Sequence, residues 1–136
     1  MKQDKITLPA KLGHLEAMLN FITDRARLQG FDDKRINHIQ LSAEEVLVNI
    51  INYAYPDTEG EIEIAVTPLA QGGLEVTITD SGRAFDPLVM PDPDIKAPLE
   101  QRKIGGLGIY LLRRLMDQVT YKRQDNRNIL TFIKKK

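Results

Sequence analysis

The chain has 136 residues, enough for one domain that buries a core of its own without disulfide or metal staples. Nineteen basic and nineteen acidic residues cancel, so no overall field steers the protein toward nucleic acid or an anionic membrane. The absence of cysteine excludes a disulfide framework and a thiolate metal site.

The polar start, Met1-Lys2-Gln3-Asp4-Lys5, leads into no apolar run, so no signal peptide is expected. Lys5 to Leu8 alternates weakly and reads as a short strand ending at Pro9. From Lys11 to Gln29, Leu12, Leu15, Met18, Leu19, Ile22 and Ala26 recur at threes and fours, which predicts a helix with Gly30 as its stop. Asp32 or Asp33 offers the N-cap of a second helix reaching about Ala54. Its core stripe is Ile36, Ile39, Ala43, Val46/Leu47, Ile50 and Ala54, while Glu45, Asn49 and Asn52 form a separate polar stripe. The most apolar stretch, Val46 to Tyr55, is interrupted by Asn49 and Asn52 and is too short to span a bilayer, so a cytoplasmic domain is expected.

Ile62, Ile64 and Val66, then Leu74, Val76 and Ile78, alternate with mostly polar neighbours around Gln71-Gly72-Gly73, the pattern of a hairpin with one buried face. Pro87, Pro91, Pro93 and Pro98 exclude a regular element over most of 85–104, a length typical of a functional lid or of disorder. Leu107, Leu111, Leu112, Leu115 and Met116 mark a third helix. Two strands follow, around Val119 to Lys122 and Ile129 to Ile133, joined by the turn-rich Gln124 to Asn128. The order β-α-α-β-β-lid-α-β-β predicts an α+β fold, a two-layer sandwich whose mixed, largely antiparallel sheet carries its helices on one face.

Three motifs carry chemistry. Glu45 and Asn49 lie one helical turn apart on one face, where a carboxylate can deprotonate a nucleophile and an amide oxygen can ligate Mg²⁺. Asp80-Ser81-Gly82 places a carboxylate at a strand end beside a turn, suited to an exocyclic amine such as that of adenine; the same residues also make a turn with no ligand. Gly105-Gly106-Leu107-Gly108 opens the third helix, where free backbone N–H groups and the helix dipole favour phosphate, and Arg102 and Lys103 just upstream can add charge-assisted contacts. The glycine spacing matches neither the P-loop nor the dinucleotide fingerprint, and a plain hinge would look similar.

Seen jointly, these pieces resemble the ATP-binding domain of the GHKL superfamily, the Bergerat fold of gyrase, Hsp90, histidine kinases and MutL, over residues 1–136 as one domain with 85–104 as its ATP lid. Glu45-x-x-x-Asn49 matches the N-box, Asp80-x-Gly82 the adenine box, and Gly105-Gly106-Leu107-Gly108 the glycine box. Within the superfamily the stretches Asp80-Ser81-Gly82-Arg83-Ala84-Phe85-Asp86-Pro87 and Arg102-Lys103-Ile104-Gly105-Gly106-Leu107-Gly108-Ile109-Tyr110, with Leu115-Met116-Asp117, are similar to bacterial anti-sigma-factor serine/threonine kinases. The resemblance implies ATP and Mg²⁺ as cofactors. Glu45 would be catalytic, Asn49 the metal ligand, Asp80 the adenine partner, Gly82 room for the base, and Arg102, Gly105, Gly106, Leu107 and Gly108 the phosphate contacts. It implies a STAS-domain anti-anti-sigma protein as phosphorylation substrate and a sigma factor as sequestered partner. It also implies a homodimer through the N-terminal strand and first helix.

The chain departs from the pattern at three places. Ala84 replaces the second glycine of the adenine box, tolerable where φ stays negative; Tyr53 stands where relatives often have His; and Asn128-Ile129 takes the position of a Gly-Thr pair, removing a hydroxyl. Ala84 and Ile129 motivate the alternative of a nucleotide-gated binding protein with little or no kinase activity. A detached histidine-kinase module is a third reading, though neither His14 nor His38 sits in an obvious phosphoacceptor box. Tyr53 and Tyr55 read as packing or rim residues.

Overall fold

The structure, a computed structural model, describes residues 2–84 and 106–136, with 106–110 described by backbone alone. Strand β1 (Asp4–Pro9) is an edge strand, where the proline at its end leaves no ladder donor missing from the sheet interior. A single 3-10 turn at Leu12–His14 precedes helix α1 (Leu15–Leu28). The predicted helix therefore starts late: Gly13 lies in its intended first turn, and neither Lys11 nor His14 caps a backbone N–H. Leu12, expected on the core stripe, is consequently exposed, whereas Met18, Leu19, Ile22 and Ala26 are buried.

Gly30 stops α1 with φ +92°. Its N–H bonds Arg27 O at 3.0 Å while Phe31 N–H reaches Ala26 O at 3.2 Å, the paired closure that satisfies the last carbonyls of a helix. Asp32 resolves the choice of cap, its carboxylate accepting from Arg35 N–H at 2.9 Å to start helix α2 (Asp33–Tyr53).

Strands β2 (Glu61–Pro68) and β3 (Leu74–Asp80) form the expected hairpin, and helix α3 (Gly106–Leu115) packs against α2. Strands β4 (Gln118–Gln124) and β5 (Arg127–Lys134) are longer than their patterns predicted. The loop between them is only Asp125-Asn126, at φ 54° and 62°. Asp and Asn tolerate this left-handed conformation, and two such residues in succession make the tight turn that matches strand twist. Asn128, assigned to the loop by its composition, is therefore a strand residue.

The five strands lie in the order β1-β2-β3-β5-β4, and every pairing is antiparallel. The sheet expected to be mixed and largely antiparallel is thus antiparallel throughout the described residues. Registers Ile64↔Ile78 and Ile78↔Leu130, then Val66↔Val76 and Val76↔Phe132, stack apolar side chains in rows across one face. These rows join Met18, Ile22, Ile39, Leu47 and Leu112 in one core beneath the three helices. Each fully buried side chain of this size contributes about 1.5–3 kcal/mol relative to exposure. No helix among the described residues is long and apolar enough to cross a membrane.

Candidate functional site

The inward face of the sheet changes character at one end. One step of the two-residue period beyond Ile78 and Leu130 brings Asp80 of β3 opposite Asn128 of β5, with Arg123 of β4 opposite Asn128 in turn. Asp80 and Asn128 are 4% and 6% exposed, so the last inward row of an apolar face is polar and buried. Groups placed there must satisfy one another.

They do so as a network. Asp80 Oδ1 accepts from Gly82 N–H at 2.8 Å and from Asn128 Nδ2 at 3.0 Å. The same amide nitrogen donates to Arg83 O at 2.8 Å, and Tyr121 OH donates to Asn128 Oδ1 at 2.6 Å. Arg123 Nη1 holds Gly82 O at 2.8 Å, and Arg83 N–H bonds Ala54 O at the end of α2 at 2.9 Å. Tyr55 completes the clamp, accepting from Ser81 N–H at 2.8 Å and donating to Glu61 O at 2.7 Å. Burial pushes its phenol above the ordinary tyrosine range; the Ser81 bond opposes this and Asp80 adds to it. The segment after β3 is thereby fastened to β2, β4, β5 and the C-terminus of α2.

Gly82 owes its identity to that fastening. A Cβ built on it would stand 2.3 Å from Ala54 O and 2.5 Å from Ala54 Cβ, so only glycine lets the turn approach α2 this closely. Its φ is not in the left-handed region, and the space expected for a base is taken by the chain's own backbone. Ala84 is exposed and has no positive φ, the condition under which a methyl is tolerated there.

Between α2 and this row lies a narrow cavity of about 40 Å³ lined by Val46, Asn49, Ile50, Tyr53, Ala54, Ile78, Asp80, Arg83, Tyr121, Asn128 and Leu130. Its walls are aliphatic and its polar groups few, the usual makeup of a small-molecule site. Asn49 and Asp80, 31 residues apart in the sequence, meet here. Asn49 is 7% exposed, and its side-chain amide has no hydrogen-bond partner among the described residues. A neutral amide oxygen left open beside a pocket suits Mg²⁺, which takes one or two protein oxygens and completes its shell with phosphate and water. Asn49 and Asp80 are therefore the side chains that would hold the cation and the base of a nucleotide.

Glu45 stands one turn before Asn49 on α2, half-buried and outside the pocket lining. Burial pushes its carboxyl above the ordinary range, and the neighbouring Glu44 adds to the shift. Gly106, Leu107 and Gly108 occupy the first turn of α3, so the glycine motif does open a helix. Gly82 borders the adjoining open groove together with Asp80 and Arg83. Arg102, Gly105 and the lid at 85–104 fall outside the described residues.

Sequence reasoning missed Tyr121 and Arg123 as parts of this site, and it gave Asn128 and Tyr55 no bonding role there. One signal was present for Asn128: it shares the parity of Leu130 and Phe132, so it had to point inward with them.

A family profile described as the histidine kinase-like ATPase domain matches residues 8–134. The serine-protein kinase RsbW of Bacillus thuringiensis (strain Al Hakam) is 28% identical over 130 residues, covering 93% of this chain and 81% of that protein. RsbW of Bacillus anthracis (strain CDC 684 / NRRL 3495) is 30% identical over 131 residues with the same coverage. Among solved structures, the RsbU and RsbW domains of a Mycobacterium tuberculosis protein match with a TM-score of 0.71 at 14% identity, over 99% of this chain and 32% of that one. The histidine kinase domain of the Erythrobacter litoralis EL346 blue-light activated histidine kinase matches at 0.57 and 20% identity, over 89% of this chain and 60% of that one. These two structural matches bear on the fold. With its five-stranded antiparallel sheet, helices on one face and a profile match across most of its length, the chain belongs to the histidine kinase-like ATPase domain family.

Proposed function

We propose that the protein is an anti-sigma regulatory factor that uses Mg²⁺-ATP to phosphorylate a serine or threonine of a STAS-domain anti-anti-sigma partner, and that it sequesters a sigma factor in the cytoplasm. The observation that carries this reading is the convergence of Asn49 and Asp80 on one aliphatic pocket, in a chain similar to serine-protein kinases over 93% of its own length and 81% of theirs.

In this reading Asp80 accepts the exocyclic amine of adenine, and Val46, Ile50, Ile78 and Leu130 form the walls against the base. Asn49 gives its amide oxygen to the cation. The N-terminus of α3, at Gly106, Leu107 and Gly108, offers backbone N–H groups to phosphate, with Gly105 and Arg102 assigned to the same task. A cation held by Asn49 would supply neutralisation of phosphate charge, which is most of what phosphoryl transfer needs. Glu45 would take the proton of the acceptor hydroxyl, whose own oxygen bonds the γ-phosphorus while the bond from that phosphorus to the ADP oxygen breaks. Its raised pKa suits a base working closer to neutrality than an ordinary carboxylate. The homodimer surface is assigned to β1 and α1.

The test is transfer of labelled γ-phosphate to a purified STAS protein, with calorimetry of nucleotide binding with and without Mg²⁺. Wild type should bind and transfer, and Asn49→Ala should lose the Mg²⁺-dependent part of the affinity. Metal-independent binding in wild type would refute the role of Asn49. Tight binding with no phosphoprotein from any STAS partner would favour a nucleotide-gated binding protein instead.

A further inference from the structure

The hydrogens in the Asp80 network can be assigned without ambiguity. Asn128 Nδ2 lies between two acceptors, Asp80 Oδ1 and Arg83 O, so the amide must turn its NH₂ to them and its oxygen away. That oxygen meets Tyr121 OH, which must then be the donor. A flipped amide would set oxygen against two oxygens, so Tyr121 locks an orientation the neighbours already demand. Both Nδ2 hydrogens are spent. Asp80 Oδ1 already takes two donors, Gly82 N–H and Asn128 Nδ2, while Oδ2 has no hydrogen-bond partner among the described residues.

The consequence concerns the base. A carboxylate with both oxygens free presents two coplanar acceptors, and these match the adjacent N1–H and N2–H₂ donors of guanine in a bidentate grip. A carboxylate with one oxygen occupied presents a single acceptor, which suits the lone exocyclic amine of adenine. We infer that Asn128, held by Tyr121, is a positioning residue that sets base selectivity: by taking the lone pair of Asp80 Oδ1 that Gly82 N–H leaves, it confines the carboxylate to one free acceptor, Oδ2, which suits a 6-aminopurine and denies the paired contact a guanine base would make. This rests on the nucleotide reading of the pocket and adds to it a selectivity device on β4 and β5, strands that carry none of the three sequence motifs.

The experiment compares ADP with GDP, each with Mg²⁺, by calorimetry on the full chain as wild type, Asn128→Ala and Tyr121→Phe. Folding of each variant is checked by circular dichroism. Wild type should prefer ADP, and Asn128→Ala should lower the ADP:GDP affinity ratio about tenfold or more, since a missing directional hydrogen-bond constraint is costly to discrimination. Tyr121→Phe, which removes one hydroxyl and leaves the amide in place, should lower the ratio in the same direction by less. If Asn128→Ala does not fold, Tyr121→Phe alone decides. A merely structural role would weaken both nucleotides together, so an unchanged ratio in the folded variants overturns the inference while leaving the nucleotide reading intact. Failure of wild type to bind ADP overturns both.

Discussion

Substituting Gly82 with alanine separates two reasons for a glycine in the adenine box. Because Gly82 does not hold a left-handed φ, an alanine there meets no backbone strain. In open space it would stabilise the fold by about 0.4–1 kcal/mol, through a less flexible unfolded chain. The structure demands the opposite sign. The new methyl would sit 2.3 Å from Ala54 O, more than an ångström inside the 3.4 Å at which ordinary contact begins. Backbone cannot step aside as a flexible side chain does, so the turn and the end of α2 must separate. Overpacking of this kind costs about 1–3 kcal/mol. The Arg83 N–H bond to Ala54 O, which spans the same gap, is worth about 1 kcal/mol more. The expected loss is about 2–4 kcal/mol, read by urea denaturation as a lower midpoint at unchanged slope. For a chain of this length Tm should fall by about 10 °C. If Gly82→Ala proved as stable as wild type and lost only nucleotide affinity, the close approach to Ala54 would not be what requires the glycine.

Other perturbations test the remaining parts. Tyr55→Phe removes both bonds that tie Ser81 and Glu61 together and should cost about 1–3 kcal/mol in chemical denaturation; a change under about 0.5 kcal/mol would discount the clamp. Glu45→Gln should reduce phosphate transfer about 10²–10⁴-fold while leaving ADP binding within about twofold, and retained transfer would remove Glu45 from the chemistry. The same variant has a stability signature. The folded-state pKa of Glu45 is raised, so wild type binds more protons folded than unfolded just above the usual carboxylate range and loses stability as pH rises through it. Glu45→Gln should flatten that loss in melts taken between acid and neutral pH. His38 behaves in reverse: burial first, then Lys134, Lys34 and Arg35, lower its pKa, against a smaller opposing effect of Asp32. Its unfolded form therefore takes up a proton first, and stability present above pH 6.5 should drain away below it. His38→Gln melts that lost stability over the same range as steeply as wild type would contradict this.

Much of the fold was legible because it depends on local alternation and on end signals. Ile62, Ile64 and Val66 announce an inward face by their spacing alone, and Gly30 followed by Asp32 marks a stop and a start within three residues. The late start of α1 came from weak signals: Gly13 and an uncapped first turn compete with a good apolar stripe, and the stripe prevailed on paper. The site divides in the same way. Asn49 was legible through its helical offset from Glu45, and Asp80 through its place at a strand end. Asn128 was not, because its partner Asp80 is 48 residues away and Asp-Asn-Arg-Asn reads as loop by composition. Tyr55 and Gly82 stood out in the sequence, but their contacts were hidden for a related reason. What they do is decided by Ser81 N–H, Glu61 O and Ala54 O, backbone atoms that no side-chain pattern reports.

The tip of the last hairpin is exposed and carries no residue assigned to chemistry, yet it sets the register of the pocket's polar row. Two residues, Asp125 and Asn126, bring the chain back so that Asn128 returns beside Asp80 and faces the helices. Adding a single residue within β5 after this tip would invert the alternation and send the amide of residue 128 to the opposite surface. Sequence drift at this corner is therefore constrained in length far more than in composition, and a deletion there would be felt by the ligand as directly as a substitution in the cleft.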